Sequence, residues 1–303
     1  MSQLIILMYH AVIPSPLQVA DWCFVDATAF RGQLEYLAGH YTVLSLSEAV
    51  ARLTSGRLYD PAIALTFDDG FQNNHDVAFP ILQELGMPAT IFVTTGLVET
   101  EDTLWFCRLN RALAETHKDV VEWDGSRVDL SGPGPKAKAA TMMKARLKTF
   151  PHPRLLRELR SLVLKLGDEP GRPVEVGSPF RMLSRQAIAA MAASGLIEFG
   201  AHSQSHAILR LLTSQERYEE IVRSVAAIST LAGGACTLFA YPNGQAQDYA
   251  AEDVAMLRSC GVRISVTAME GVNDSRTPTM ELRRYGIGAQ DGMEKFRRIL
   301  DGG

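Results

Sequence analysis

Ala64-Leu65-Thr66-Phe67-Asp68-Asp69-Gly70 decides the fold. An apolar run from Ala62 to Phe67 stops at two adjacent carboxylates and a glycine. Short unbroken apolar runs are the mark of strands buried on both faces. Two acids at the end of such a strand cannot both be buried unpaired, because each would cost several kcal/mol. They require a cation, a hydrogen-bond network or water. Adjacent carboxylates in different surroundings can divide the work, one ligating a metal and the other taking a proton. Taken alone, the stretch also suits a plain Asp-Asp-Gly turn.

A second stretch shifts the balance toward chemistry. Glu198-Phe199-Gly200-Ala201-His202-Ser203-Gln204-Ser205-His206 also runs from apolar into polar residues. Its two histidines are four apart, so on a helical turn or in a tight loop both imidazoles can meet one metal. Taken together and in this order, Thr66-Phe67-Asp68-Asp69-Gly70 and His202-Ser203-Gln204-Ser205-His206 resemble the first two motifs of the polysaccharide deacetylase family (NodB-homology domain, carbohydrate esterase family four). The resemblance implies a metal-dependent hydrolase that removes N-acetyl or O-acetyl groups from sugars.

Length and composition are compatible with this. A chain of 303 residues can bury a large core, and a net charge of -4 gives no sign of nucleic-acid binding. Cys23, Cys107, Cys236 and Cys260 are widely spread, without the C-x-x-C spacing of zinc fingers, and read as buried free thiols. Met1-Ser2-Gln3 carries no basic residue, and the run Leu4–Tyr9 is too short for a leader core. No stretch reaches the ~20 apolar residues of a membrane span. The expectation is a cytoplasmic protein acting on a small sugar, a nucleotide sugar or a lipid-linked precursor.

Along the chain, strand-like runs at 4–9, 41–46, 62–67, 89–94, 196–201, 236–241, 262–267 and 281–287 alternate with helical patterns. Ser47 is placed to cap a helix through Leu53, and Thr213-Ser214-Gln215-Glu216 is a capping box. The rhythm breaks from about 99 to 180, where a basic, largely helical stretch reads as an insertion in a single NodB-like unit spanning 1–303. Its charges are those of a solvated helix face or of a contact with an anionic substrate. The α/β alternation fits a distorted (β/α) barrel or a doubly wound sheet. Polar residues gathered at the C-terminal ends of several strands favour the barrel, as does the resemblance.

A catalytic metal needs three protein ligands and an open position, and Asp69, His202 and His206 supply the ligands. By resemblance Asp69 is the metal carboxylate and Asp68 the general base. Zinc is the first choice of divalent ion, while cobalt, nickel, manganese and iron also suit a His-His-carboxylate set. Phe239-Ala240-Tyr241-Pro242-Asn243-Gly244 resembles the third family motif, making Tyr241, Pro242, Asn243 and Gly244 a groove wall with an oxyanion donor. Pro242 has no N–H, which leaves Asn243 as the donor.

Two departures matter. The family's arginine two residues before the proline is Ala240 here, and Arg284 is expected to steady Asp68 instead, with Arg283 as the alternative. The usual late histidine is also missing, since no histidine follows His206. Of His10, His40, His75, His117 and His152, only His10 stands at a strand exit. The chain is similar to a circularly permuted branch of exopolysaccharide deacetylases, which implies His10 as general acid. The expected substrate is an N-acetylated amino sugar in a polysaccharide, glycan precursor or glycolipid. The competing readings are a non-sugar amide or ester hydrolase on the same scaffold and a carbohydrate-binding protein with a degenerate site.

Overall fold

The computed structural model describes residues 3–301. In chain order its strands are β1 (Leu4–Tyr9), β2 (Ala11–Ile13), β3 (Phe24–Asp26), β4 (Thr42–Leu44), β5 (Ala62–Phe67) and β6 (Ala89–Val93), then β7 (Val120–Trp123), β8 (Ser126–Asp129), β9 (Ile197–Ala201), β10 (Leu238–Ala240), β11 (Ile264–Val266) and β12 (Tyr285–Gly286). Eight of them form one parallel sheet, in the order β11-β10-β9-β6-β5-β1-β12, with β4 beside β5. β4 takes the first half of that partner, Ala62–Ala64, and β6 takes Thr66 and Phe67.

The two ends of this sheet are joined by one stretch of chain. Leu282 bridges Val266 of β11 in parallel, while Tyr285 and Gly286 pair with Leu7 and Met8 of β1. The Thr267 N–H donates to Leu282 O at 2.8 Å, and Leu282 N–H donates to Ser265 O at 3.0 Å. The result is a distorted (β/α) barrel. Switching partners from β11 to β1 within a few residues explains why the strand expected over 281–287 shrinks to Tyr285–Gly286.

Period-two alternation sorts the side chains. Ile5, Leu7 and Tyr9 join Ile63, Leu65 and Phe67 in the core between sheet and helices. Leu4, Ile6, Ala62, Ala64, Phe92, Leu238, Ala240 and Leu282 fill the barrel interior instead. Helices 27–40, 79–85, 185–193 and 214–231 cover the outside. Asp26 and Thr213 cap as their sequences require, and Gly86 ends its helix in the left-handed conformation. The helix at 46–54 is capped by Ser45, whose Oγ accepts from Glu48 N at 3.3 Å, and not by Ser47. The Ser47 N–H is taken by Glu198 at 3.2 Å.

Helices 105–115, 133–147 and 152–166 and the β7–β8 hairpin share a separate apolar cluster that includes Ala11, Ile13, Phe24 and Phe71. The hairpin turns on Asp124-Gly125, both at positive φ (50° and 75°), an Asp-Gly signal for a primed turn. Most cations of this stretch are occupied: Lys144 by Asp21, Arg146 by Asp124, Arg154 by Glu158, and Lys165 by Glu122 O. Among the described residues no helix is long and apolar enough to cross a membrane.

Gly200 lies on β9, between β6 and β10, against the barrel interior. A Cβ there would stand 2.5 Å from the Phe92 ring and 2.9 Å from Leu238 Cβ, both buried. Gly200→Ala is expected to destabilise by about 1–3 kcal/mol through overpacking, read from urea unfolding midpoints. An unchanged midpoint would show that the barrel interior is looser than described.

Candidate active site

Asp68 and Asp69 leave β5 on a turn that separates them. Asp69 and Gly70 both take positive φ (77° and 81°), and a Cβ on Gly70 would meet Val93 Cγ1 at 2.9 Å. Only glycine fits the second position without strain. The turn is fastened on both sides: Asp68 N–H donates to Tyr9 O at 3.0 Å, and Thr94 N–H donates to Asp69 O at 3.1 Å. The alternation that sends Ala62 and Ala64 inward carries Thr66 and Asp68 into the barrel as well.

There Asp68 meets Arg284, which is fully buried. The guanidinium donates twice to the carboxylate, at 2.7 and 2.7 Å, and also reaches Thr66 Oγ1 at 3.1 Å and Thr267 O at 2.7 Å. Burial pushes the Asp68 carboxyl up, but the charge and hydrogen bonds of Arg284 more than reverse it and hold it well below the usual carboxylate range. Arg283, the alternative partner, is spent on Glu270 O at 3.1 Å. Arg284 precedes β12, at the N-terminal side of that short strand, and reaches Asp68 from inside the barrel. Ala240 also faces that interior, so both positions can serve one place.

The histidines sit in a tight loop after β9. His202 N–H donates to Val93 O at 2.9 Å, and Ser203 and His206 take positive φ (59° and 60°). Glu220, unremarked in the sequence, accepts from Gln204 N, Ser205 N and Ser205 Oγ at 2.8, 2.8 and 2.6 Å. The loop brings His206 Nε2 to 3.4 Å and His202 Nε2 to 3.6 Å from Asp69 Oδ1. His202 Nδ1 lies 2.8 Å from Ala240 O, so it carries the proton and Nε2 keeps its lone pair.

Neither buried oxygen of Asp69 has a hydrogen-bond partner among the described residues. Burial and the neighbouring Asp68 push its carboxyl well up, and burial pushes both imidazoles down. One cation between the three would pair the carboxylate and use both lone pairs, and the ligand atoms lie within 4.8 Å of one another. The donor set therefore fits a divalent metal.

His10 leaves β1 beside Asp68, since Tyr9 and Phe67 are in register. Its C=O accepts from Asn74 Nδ2 at 2.6 Å, and its buried Nδ1 has no partner among the described residues. Burial holds the imidazole down at about 4, against the pull of Asp68, so it is neutral at pH 7.

In the third motif the Tyr241 side chain is not brought to the site. It stacks on Tyr249 at 4.1 Å and donates to Met280 O at 3.0 Å, on the outer face of the sheet. Pro242 and Gly244 flank Asn243, which takes positive φ (62°). Asn243 Nδ2 donates to Asp248 at 2.5 Å, and its Oδ1 accepts from Lys148 at 2.6 Å. Its own N–H makes no hydrogen bond among the described residues. Lys148, one of the nine Lys and Arg residues from Lys136 to Lys165, thus reaches the site wall, where it shares a small cleft with His206, Trp105 and Phe150.

Residues 55–264 match the family model for polysaccharide deacetylase. The chain belongs to the polysaccharide deacetylase family. YxkH of Bacillus subtilis (strain 168), whose name carries the same family, is 32% identical over 94 residues. That match covers 30% of this chain and 32% of YxkH, so the chain spans about a third of the length of this relative. The deacetylase PplD of Streptococcus pyogenes, solved in complex with acetate, superposes with a TM-score of 0.65 at 20% identity, covering 98% of this chain and 97% of PplD. A de-N-acetylase from Aggregatibacter actinomycetemcomitans superposes at 0.60 and 13% identity, covering 98% and 99%. At these identities the likeness is one of fold. In this polysaccharide deacetylase Arg284 reaches Asp68 from the segment before β12, and His10 stands directly after β1.

Arg284→Met would leave Asp68 buried and unpaired. Stability is expected to fall by about 3–5 kcal/mol in urea unfolding. Asp68→Asn/Arg284→Met should regain part of that loss, and equal stability of Arg284→Met and wild type would contradict the pairing. A pH effect follows from His10. Below its ordinary 6.5 the unfolded chain protonates this histidine, whereas the folded protein leaves it neutral down to about 4. The unfolded state then binds more protons, so stability of the metal-free protein drops as pH falls through that window. His10→Gln should lose less stability over the same window, and identical pH profiles would count against a buried neutral His10.

Proposed function

We propose that the protein is a metal-dependent N-deacetylase of an amino sugar carried in a polysaccharide, a glycan precursor or a glycolipid. The observation that carries this reading is the unpaired buried carboxylate of Asp69 between two imidazole nitrogens, with an ionised second acid, Asp68, held apart by Arg284. Asp69, His202 and His206 would hold the cation, zinc being the first choice and cobalt, nickel, manganese and iron the others. Bound there, it supplies Lewis acidity toward the acetyl oxygen and makes water a better nucleophile.

Asp68 takes the proton of the attacking water. Arg284 keeps it ionised at neutral pH, and each of its oxygens retains a second lone pair for that proton. The Asn243 N–H donates to the oxyanion as the acyl carbon becomes tetrahedral. Lys148 and Asp248 hold the Asn243 side chain and so fix the direction of that N–H. His10, beside Asp68 and neutral in the resting site, takes up the proton that Asp68 removes from the water and then, as the acid, delivers it to the nitrogen as the C–N bond breaks. A free amine and acetic acid leave, the acid ionising to acetate in solvent, and Asp68 and His10 return to their starting protonation states. Support for the acyl group comes from PplD, whose structure holds acetate, and support for nitrogen as the leaving atom comes from the de-N-acetylase. The intact set of Asp68, Asp69, His202, His206 and Arg284 speaks against a degenerate binding protein.

Acetate release from N-acetylated sugars, oligosaccharides and lipid-linked sugars tests the reading. The metal-loaded wild type is expected to release acetate and a free amine. Asp68→Asn and His10→Ala should each lose about 10²–10⁴-fold in kcat while keeping stoichiometric metal. Full activity in His10→Ala would remove it from the mechanism. No release from any sugar by the metal-loaded wild type would overturn the proposal.

A further inference from the structure

Three tryptophans occur in the chain. Trp105 and Trp123 are buried, but Trp22 is 51% exposed. It is also the tryptophan that touches the proposed acid: the indole meets the His10 ring edge-on, with centroids 4.8 Å apart at 78°. A large aromatic left half in water beside a reactive histidine is not explained by the core.

Its surroundings are rigid. The ring lies over the backbone of the segment that closes the barrel, where a Cβ on Gly286 or Gly288 would come within 3.6 Å of it. Trp22 O accepts from Ala289 N at 2.9 Å. On either side, Cys23 N donates to Asp21 Oδ1 at 3.2 Å and Cys23 O accepts from Ala11 N at 3.0 Å. Asp21 is itself buried and clamped by Lys144 at 2.5 Å and Asn110 at 2.6 Å. The turn is thus fixed by the helical stretch on one side and the barrel seam on the other, while the indole it carries stays open. A preorganised aromatic plate loses little freedom when something packs on it.

The geometry points to Trp22 as a sugar-binding residue: its exposed face takes the apolar C–H face of a pyranose ring in the substrate, on the His10 side of the site. This rests on the deacetylase reading and deepens it. A pyranose presents axial C–H bonds on a face and hydroxyls around its rim, which suits an indole with an apolar body and a polar N–H. Ring packing there would set which residue of a glycan chain presents its acetamido nitrogen to His10.

The test uses the metal-loaded full chain and a soluble oligomer of β-linked N-acetylglucosamine. Trp22→Ala should raise KM about tenfold with kcat within about threefold, and Trp22→Phe should recover most of the loss. In the inactive Asp68→Asn protein, the oligomer should protect tryptophan fluorescence from acrylamide. That protection should vanish in Asp68→Asn/Trp22→Phe, because the two remaining tryptophans are buried. A fall in kcat at constant KM would overturn the proposal, making Trp22 a support for His10. So would calorimetric binding of the oligomer without fluorescence protection. Turnover that is equal in wild type and Trp22→Ala would sink this inference and leave the deacetylase reading standing. Neither turnover nor binding of any acetylated sugar would overturn both.

Discussion

A guanidinium with no exposure to solvent organises this molecule. Arg284 belongs to the short segment that carries strand pairing from β11 to β1 and so joins the ends of the sheet. From there it binds Thr267 O beyond β11, Thr66 on β5 and both oxygens of Asp68. A buried arginine is tolerated only if its charge is matched and its donors are used. Asp68 must therefore be ionised and turned inward. Its neighbour cannot share that place, and the left-handed turn at Asp69 and Gly70 directs the second acid to the histidines. The different surroundings of two adjacent carboxylates are a consequence of how the barrel closes.

The opposite imbalance stands at Asp69. One carboxylate is over-supplied with donors and the other has none among the described residues. The loop that delivers His202 and His206 is built with care for its backbone: Glu220 accepts three of its hydrogen bonds, and Val93 holds its start. Such reinforcement makes sense where three ligand atoms must keep their spacing without a hydrogen-bond network of their own. On the far wall, Lys148 comes in from the helical stretch and ties Asn243 to it, so that this stretch contributes to the site as well as to its own core.

All eight strands of the main sheet were legible, because strands buried on both faces leave unbroken apolar runs. The cluster of Asp69, His202 and His206 was legible because such residue types are rarely placed at strand ends without a reason. Arg284 could be named from an absence at Ala240, and the alternation of the strands accounts for how two distant positions reach one spot. Other features depend on tertiary context. Ser45 and Ser47 are equivalent as caps until Glu198 claims the Ser47 N–H. Tyr241 looks like a groove residue until its parity turns it outward onto Tyr249. Lys148 cannot be told from the other cations of its stretch until their partners are known. Trp22 lies in an aperiodic connection, where no pattern distinguishes an exposed side chain from a buried one. The Asp124-Gly125 hairpin is different, because its dipeptide is itself a local turn signal.

The most direct test of the central claim, that Asp69 and two imidazoles hold the cation while Arg284 keeps Asp68 away from it, is X-ray absorption spectroscopy of the zinc-loaded protein. The account predicts a first shell with two imidazole nitrogens at about 2.0–2.1 Å and oxygen donors completing it, unchanged in Asp68→Asn. A shell with fewer than two imidazoles, or one that changes when Asp68 is replaced, would contradict it.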